Sequence, residues 1–288
     1  MNEIRVILSS YNRRELTLRA ISQVLESAAV ARVQARIWLF DDGSEDGTVE
    51  AVRESFPRNV EILRGDGNNY WAKSMAAAEA AAITESSSQE NLVGLLWLND
   101  DVDLDVDAIS RIVAARKLLP EDILVGAMRD PRSARVTYGG LKKNGRHPLS
   151  FAVCGSVSAP ERVDTMNGNL VMVPLPLARE LGGIDGAFAH AWADVEYGVR
   201  AKSIGRPPIV LPGTFGACAR NPERPPHGLI EDWSFFTSVK GGGNPPSTRR
   251  LLRMLAPNTW VFWWLSTYAK WWIKRLPFAI FAAYGKRS

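Results

Sequence analysis

Through residue 127 the chain alternates apolar runs of strand length with helix-period segments, and the runs end abruptly in polar residues. The apolar runs cover residues 4–8, 37–40, 60–63, 92–98 and 123–127. Between them, 15–25 places Leu16, Ala20, Ile21, Val24 and Leu25 along one helical face. Residues 48–55 and 107–119 also read as helix. So does 73–84, which is rich in alanine, a residue that loses no side-chain entropy in a helix. Unbroken apolar strands joined through helices are buried on both faces. The expected fold class is therefore α/β, with a mainly parallel sheet flanked by helices. Ligands of such sheets bind at the carboxyl ends of the strands, so the polar residues after each run are the candidate site.

After residue 130 the pattern weakens, with turns at Gly139, Gly140, Gly145 and Pro148. A strand returns at 169–173. Pro176 opens a short helix that stops at Gly182–Gly183, and 193–203 is a further helix. GGGNPP at 241–246 reads as a linker. A length of 288 residues suits one large α/β domain with an appendage, here 1–232 with a tail at 233–288. With 46% hydrophobic and 23% charged residues, neither wholesale disorder nor a multi-span membrane protein is indicated. Cys154 and Cys218 are far apart and read as free thiols of a reducing compartment. The first residues carry no basic region followed by a long apolar run, so cytoplasmic residence is expected.

Five segments could carry chemistry. The second strand runs into DDGSEDGT, residues 41–48, where a carboxylate ending a buried strand needs a partner. Gly43 permits a tight turn and Ser44 or Asp46 can cap the next helix. The segment reads either as that capped turn or as carboxylates accepting from a base N–H or ribose hydroxyl. The fourth strand runs into Asn99-Asp100-Asp101, whose adjacent carboxylates repel and suit a hard cation, Mg²⁺ or Mn²⁺. A cap-rich loop is the alternative. The first strand ends in Ser9-Ser10-Tyr11-Asn12, and the third in RGDGNNYWAKSM, whose glycines allow close approach of an anion to a helix N-terminus. In 188–205, Asp194 and Glu196 open a helix whose dipole favours carboxylates, and an ionised Asp194 could equally serve as a general base.

VILSSYNRRE, DDGSEDGT, WLNDD and ADVEYGVRA, in that order, resemble glycosyltransferase family 2 with its Rossmann-like GT-A fold, over residues 4–212. GDGNNYWAKSM followed by LLWLNDD is similar to a bacterial subgroup of rhamnosyl- and galactofuranosyltransferases. The resemblance implies an inverting transfer from a UDP- or dTDP-type sugar donor. The acceptor would be a hydroxyl of a glycan or lipid-linked glycan in bacterial surface-polysaccharide synthesis, such as O-antigen. It implies nucleotide contacts from Ser9, Tyr11, Asp41, Asp42 and Asp100, with Asp42 on the pyrimidine edge. It further implies a divalent metal on Asp101, a catalytic base at Asp194, and substrate contacts from Trp71, Lys73, Asn169 and Trp192. There are departures. Asn99 takes the first place of the DxD triplet and Ala193 the usually acidic place before the base. Cys218 or Arg220 falls near where the family often has a histidine, and His227 lies later. The QxxRW motif of processive synthases is absent. A membrane-associated sugar-nucleotide-binding protein without transferase activity is the competing reading, and it could dispense with Asp194.

No Asp or Glu follows Asp232 whereas nine Lys or Arg do, so the net charge of +4 divides into −5 over residues 1–232 and +9 beyond. In 257–285, Trp260, Trp264, Thr267, Trp271 and Leu276 fall near one helical face, and Phe262, Ser266, Lys270 and Lys274 near another. Basic residues interrupt the run and Pro277 is expected to break it, so it is a poor spanning helix. Tryptophans with snorkelling lysines predict an amphipathic helical tail lying in a membrane interface, at the inner face of the cell membrane. A helix pair folded onto the catalytic domain or onto a second subunit is the alternative. No nucleic-acid partner is expected, because the carboxylate clusters of the body would repel phosphate without a metal.

Overall fold

The computed structural model describes residues 2–85, 91–155, 158–188, 190–221 and 227–284, with side chains to residue 275 in the last helix. The strands are β1 (Glu3–Ser10), β2 (Gln34–Asp41), β3 (Val60–Arg64), β4 (Leu92–Leu98), β5 (Asp103–Leu104), β6 (Leu124–Arg129), β7 (Val136–Tyr138), β8 (Gly140–Lys143), β9 (Phe151–Cys154), β10 (Glu161–Arg162), β11 (Thr165–Met166), β12 (Leu170–Val173) and β13 (Ile209–Ala217). The helices are α1 (Arg14–Ala31), α2 (Thr48–Ser55), α3 (Tyr70–Thr84), α4 (Ala108–Leu118), α5 (Leu175–Leu181), α6 (Ala193–Ser203), α7 (Leu229–Thr237), α8 (Pro245–Leu255) and α9 (Trp260–Tyr284).

The main sheet has the order β10-β13-β6-β12-β4-β1-β2-β3, with β5 on β13 and β7 on β6. β1 pairs in parallel with β2 and β4, β2 with β3, and β6 with β13. β12 runs antiparallel between β4 and β6. This is the mixed, mostly parallel sheet flanked by helices that the sequence leads one to expect. The long strands feed two cores. Val6 and Leu8 pack with Ile21, Val24 and Ile112 of α1 and α4. Ile7, Trp38 and Trp97 pack with Met75, Ala178 and Tyr197 of α3, α5 and α6. Burial on both faces is why the strands read as unbroken apolar runs rather than as an alternation. A small sheet, β11-β8-β9, stands beside the larger one.

Several local expectations change. Gly47, with a left-handed backbone, is the N-cap of α2, Asp46 just before it accepts the Thr48 N–H at 3.1 Å, and the Ser44 hydroxyl accepts from the Asn12 N–H instead. GGGNPP is not a linker. Asn244 caps α8 by accepting the Ser247 N–H at 3.2 Å, Pro245 takes the first turn, and a Cβ on Gly241 would strike the Phe235 and Phe236 carbonyls. Residue 232 lies inside α7, and Leu251 and Leu252 of α8 are fully buried, Leu251 in the core shared with α3 and α6. The helical part after 232 therefore begins as a piece of the α/β body.

α9 runs through Pro277. A helix can absorb one proline at the loss of one backbone hydrogen bond and a bend. Its tryptophan face turns inward. The Trp264 indole donates to the Pro245 carbonyl at 3.2 Å, Tyr268 donates to Gly243 O, and Trp271 stacks on Phe236 and meets Trp233. The folded-back alternative thus describes that face. The opposite stripe, Val261, Phe262, Leu265 and Ile273, is exposed beside Lys270 and Lys274. Leu276 has no described side chain, and Lys286 and Arg287 lie outside the described residues. No helix among the described residues is long and apolar enough to cross a membrane.

Candidate active site

The carboxyl ends of β1, β2, β3 and β4 and the start of the antiparallel β12 share one edge of the sheet, where two cavities adjoin. The smaller, about 170 Å³, is bordered by Ser9, Tyr11, Asp42, Gly67 and Tyr70. Tyr11 is half exposed there, offering its ring. Asp42 is buried, and its carboxylate is fully used. Oδ1 accepts from Gly67 N at 3.1 Å and Asn69 Nδ2 at 2.7 Å, and Oδ2 from Asn69 N at 2.9 Å and Tyr70 N at 3.0 Å. A carboxylate offers about four acceptor positions, so Asp42 organises the 65–70 loop instead of leaving an oxygen for a pyrimidine edge. Asp41 is fully buried, accepts the Ser44 N–H at 2.9 Å, and borders neither cavity.

The larger cavity, about 560 Å³, receives Asp100, Asp101, Trp71, Asn169, Trp192 and Asp194. The Trp71 indole donates to Asn99 Oδ1 at 2.8 Å, tying α3 to the end of β4. Asp100 is buried, and burial pushes its carboxyl up to about 6 even though Arg13 Nη1 lies 2.8 Å away and opposes the shift. Asp101 is more open, with Arg13 at 3.7 Å. The Cys218 thiol, just after β13, points at Asp101 Oδ1 from 3.7 Å, and burial and Asp101 push it up to about 12.

Among the described residues no cluster of three metal-ligating side chains exists. Mg²⁺ and Mn²⁺ nevertheless take only one or two protein carboxylates and fill their remaining positions with water and phosphate oxygens. Two adjacent carboxylates, one of them open to the larger cavity, fit that donor set.

On the far wall, Trp192 holds a left-handed backbone (φ 82°) and starts α6 so that Asp194 faces the cavity. Asp194 Oδ2 accepts the Gly168 N–H at 2.9 Å and Oδ1 the Val195 N–H at 2.8 Å. Burial raises its pKa above the ordinary carboxylate value. Gly168 has to be glycine, since a Cβ would come within 2.8 Å of the Trp71 ring and 3.3 Å of Asp194. Lys73 is the one expected substrate contact that the fold directs elsewhere. It is exposed and borders neither cavity, because it sits two residues, about 200° of helix, beyond Trp71. Residues not anticipated are Arg13, His190 and Lys240, which border both cavities, and Gly242, whose carbonyl accepts the Trp192 indole N–H at 2.9 Å.

The sequence model of Glycosyl transferase family 2 matches residues 5–162. The chain belongs to that family. No curated protein matches it. Among solved structures, GalNAc-T7 with UDP, GalNAc and Mn²⁺ superposes with a TM-score of 0.63 at 14% identity, covering 88% of this chain and 47% of that one. Residues 1–349 of TarS from S. aureus give 0.56 at 11% identity, covering 89% and 81%. The mannosyltransferase PcManGT of Pyrobaculum calidifontis with GDP-Man and Mn²⁺ gives 0.52 at 14%, covering 87% and 62%. At such identities the likeness shows the fold. The chain spans about half of the GalNAc-T7 chain.

Proposed function

We propose that the chain is an inverting glycosyltransferase of the bacterial rhamnosyl- and galactofuranosyltransferase kind, moving a sugar from a UDP- or dTDP-sugar to a hydroxyl of a glycan or lipid-linked glycan of the cell surface. The observation that carries the reading is the facing of Asp194 and the Asp100–Asp101 pair across one cavity of about 560 Å³. Asp194 takes the acceptor hydroxyl proton. The acceptor oxygen bonds to the anomeric carbon, and the bond from that carbon to the diphosphate oxygen breaks, the diphosphate leaving with the electron pair. One displacement from the face opposite the leaving group inverts the centre. Burial raises the pKa of Asp194, which makes its carboxylate a stronger base than a solvated aspartate. The Gly168 and Val195 N–H groups fix its orientation. Asp101, with Asp100 beside it, would hold a divalent cation, whose chemistry is to neutralise charge on the departing diphosphate. Trp71 and Trp192 supply aromatic faces to sugar rings, and Asn169 a polar edge. Bound UDP, UDP-GlcNAc, GDP-Man and Mn²⁺ in structures of the same fold support the donor class.

The same reading puts the protein against the inner face of the cell membrane. Support comes from the exposed Val261, Phe262, Leu265 and Ile273 stripe and from the absence of acidic residues after Asp232. Each basic residue near an anionic bilayer adds about 1 kcal/mol.

Calorimetric titration of UDP, dTDP and GDP, with and without Mn²⁺, tests the assignment. One nucleotide should bind in a metal-dependent manner, and Asp101→Ala should abolish the metal dependence. Failure of all three to bind would remove the assignment.

A further inference from the structure

The two cavities meet at Ser9, Arg13, Trp71, Asp100, His190 and Lys240, which border both. In the nucleotide-sugar reading, on which this inference rests, the nucleoside occupies the smaller cavity and the sugar and acceptor the larger. The diphosphate that joins them then crosses this junction. Arg13 and Lys240 meet there, with the imidazole of His190 between the two cavities. Arg13 is held by Asp100 and Asp101. Lys240 is exposed, and among the described residues its ammonium has neither an ion pair nor a hydrogen bond. His190 Nδ1 is buried with no hydrogen-bond partner among them. Burial first, then the charges of Lys240 and Arg13, push the His190 pKa down, which puts both cations within electrostatic reach of the ring.

Lys240 is not on a loose loop. It lies in the turn between α7 and α8, closed by hydrogen bonds from Gly241 N to Ser238 O at 3.0 Å, Gly243 N to Phe236 O at 3.0 Å and Asn244 N to Gly241 O at 3.1 Å. Gly241 and Gly243 have no room for a Cβ beside Phe236, so the turn packs tightly against that residue. The Trp192 indole bonded to Gly242 O fastens it to the start of α6, two residues from Asp194. This turn lies outside residues 5–162 matched by the family model.

We propose that Lys240, delivered by this turn, is a binding residue for the donor diphosphate and acts together with Arg13. An ammonium offers a compact charge with three donors and suits phosphate oxygens of changing orientation. Leaving-group departure concentrates negative charge on the diphosphate, so the same contact strengthens as the reaction proceeds. The C-terminal helices thereby complete the donor site.

The test uses the full chain and whichever of UDP, dTDP or GDP the wild type binds, together with the matching nucleoside. Lys240→Met should weaken the nucleoside diphosphate roughly 10- to 100-fold, the loss expected for one charge-assisted contact, and leave the nucleoside unchanged. Lys240→Arg should recover most of the loss. Unchanged thermal unfolding of the Met variant would confirm an intact fold. Equal diphosphate affinity in wild type and Lys240→Met, or equal losses for nucleoside and diphosphate, would overturn the proposal while leaving the donor reading standing. Wild type binding none of the three diphosphates would overturn both.

Discussion

Asp42 grips Asn69 twice, accepting its side-chain Nδ2–H on Oδ1 at 2.7 Å and its backbone N–H on Oδ2 at 2.9 Å. The 65–70 loop is therefore shaped by the residue that the family resemblance assigns to base recognition. Asp42→Asn would turn one acceptor into a donor facing N–H groups, at a cost of about 1–3 kcal/mol. Urea unfolding should show that loss, together with weaker binding of every nucleotide. Unchanged stability with altered preference between UDP and GDP would return Asp42 to a base-reading role.

Asp194→Asn keeps an oxygen for the Gly168 N–H but cannot take a proton. Turnover should fall by about 10²–10⁴, the usual contribution of a general base, with nucleotide affinity unchanged. Burial raises the Asp194 pKa, so the rising limb of wild-type kcat against pH should lie above the ordinary aspartate value of 3.8. The variant should lack that limb. Equal turnover in the two proteins would take the base role from Asp194.

The frame of the sheet was readable because burial on both faces writes each strand as an apolar run; the NDD segment directly ends such a run, and ADVEYG opens a helix. Saturation of Asp42 was not, since it depends on how a loop more than twenty residues away folds back. The left-handed backbones of Asn12, Tyr70 and Trp192, all on segments at the rim of the two cavities, leave no mark in side-chain pattern. Lys73 illustrates phase: the helix was evident, but the face that Trp71 presents had to be seen. Arg13 and Lys240 meet only in the fold. In α9 both faces carry large apolar residues, the second turning polar towards Lys270 and Lys274, so periodicity showed two stripes without showing which one α7 and α8 cover.

The covered stripe gives a membrane prediction with an internal control. Phe262→Glu with Ile273→Glu places charge on the exposed face, where both side chains are mostly open to solvent and Phe262 meets its neighbour Trp263 edge-on. Flotation with vesicles rich in anionic lipid should recover the wild type and lose the double variant. Trp271→Ala, which removes the ring stacked on Phe236, should lower thermal stability instead. If wild type and double variant float equally, the Val261–Phe262–Leu265–Ile273 stripe is not the docking face.

Glu79 of α3 is fully buried, its Oε1 accepting the Trp97 indole N–H at 3.2 Å and Oε2 the Ile184 N–H at 2.6 Å. Burial pushes its carboxyl up to about 7 from 4.5, against the opposing pull of those hydrogen bonds and of Arg200. Between these values the native state keeps a proton that the unfolded chain has released. Stability from this group is therefore fully present below pH 4.5 and is lost as pH rises towards 7. The upper limit of the loss is about 3 kcal/mol. Asp100 and Asp194 also have raised values, so the difference between wild type and Glu79→Gln isolates the contribution of Glu79. The amide sets a donor against one of the two N–H groups, so the variant should be less stable at pH 5. The gap should then narrow by pH 8, as the wild type loses its advantage. Urea unfolding of both proteins across that range would show it, and parallel curves would mean that Glu79 has the same pKa folded and unfolded.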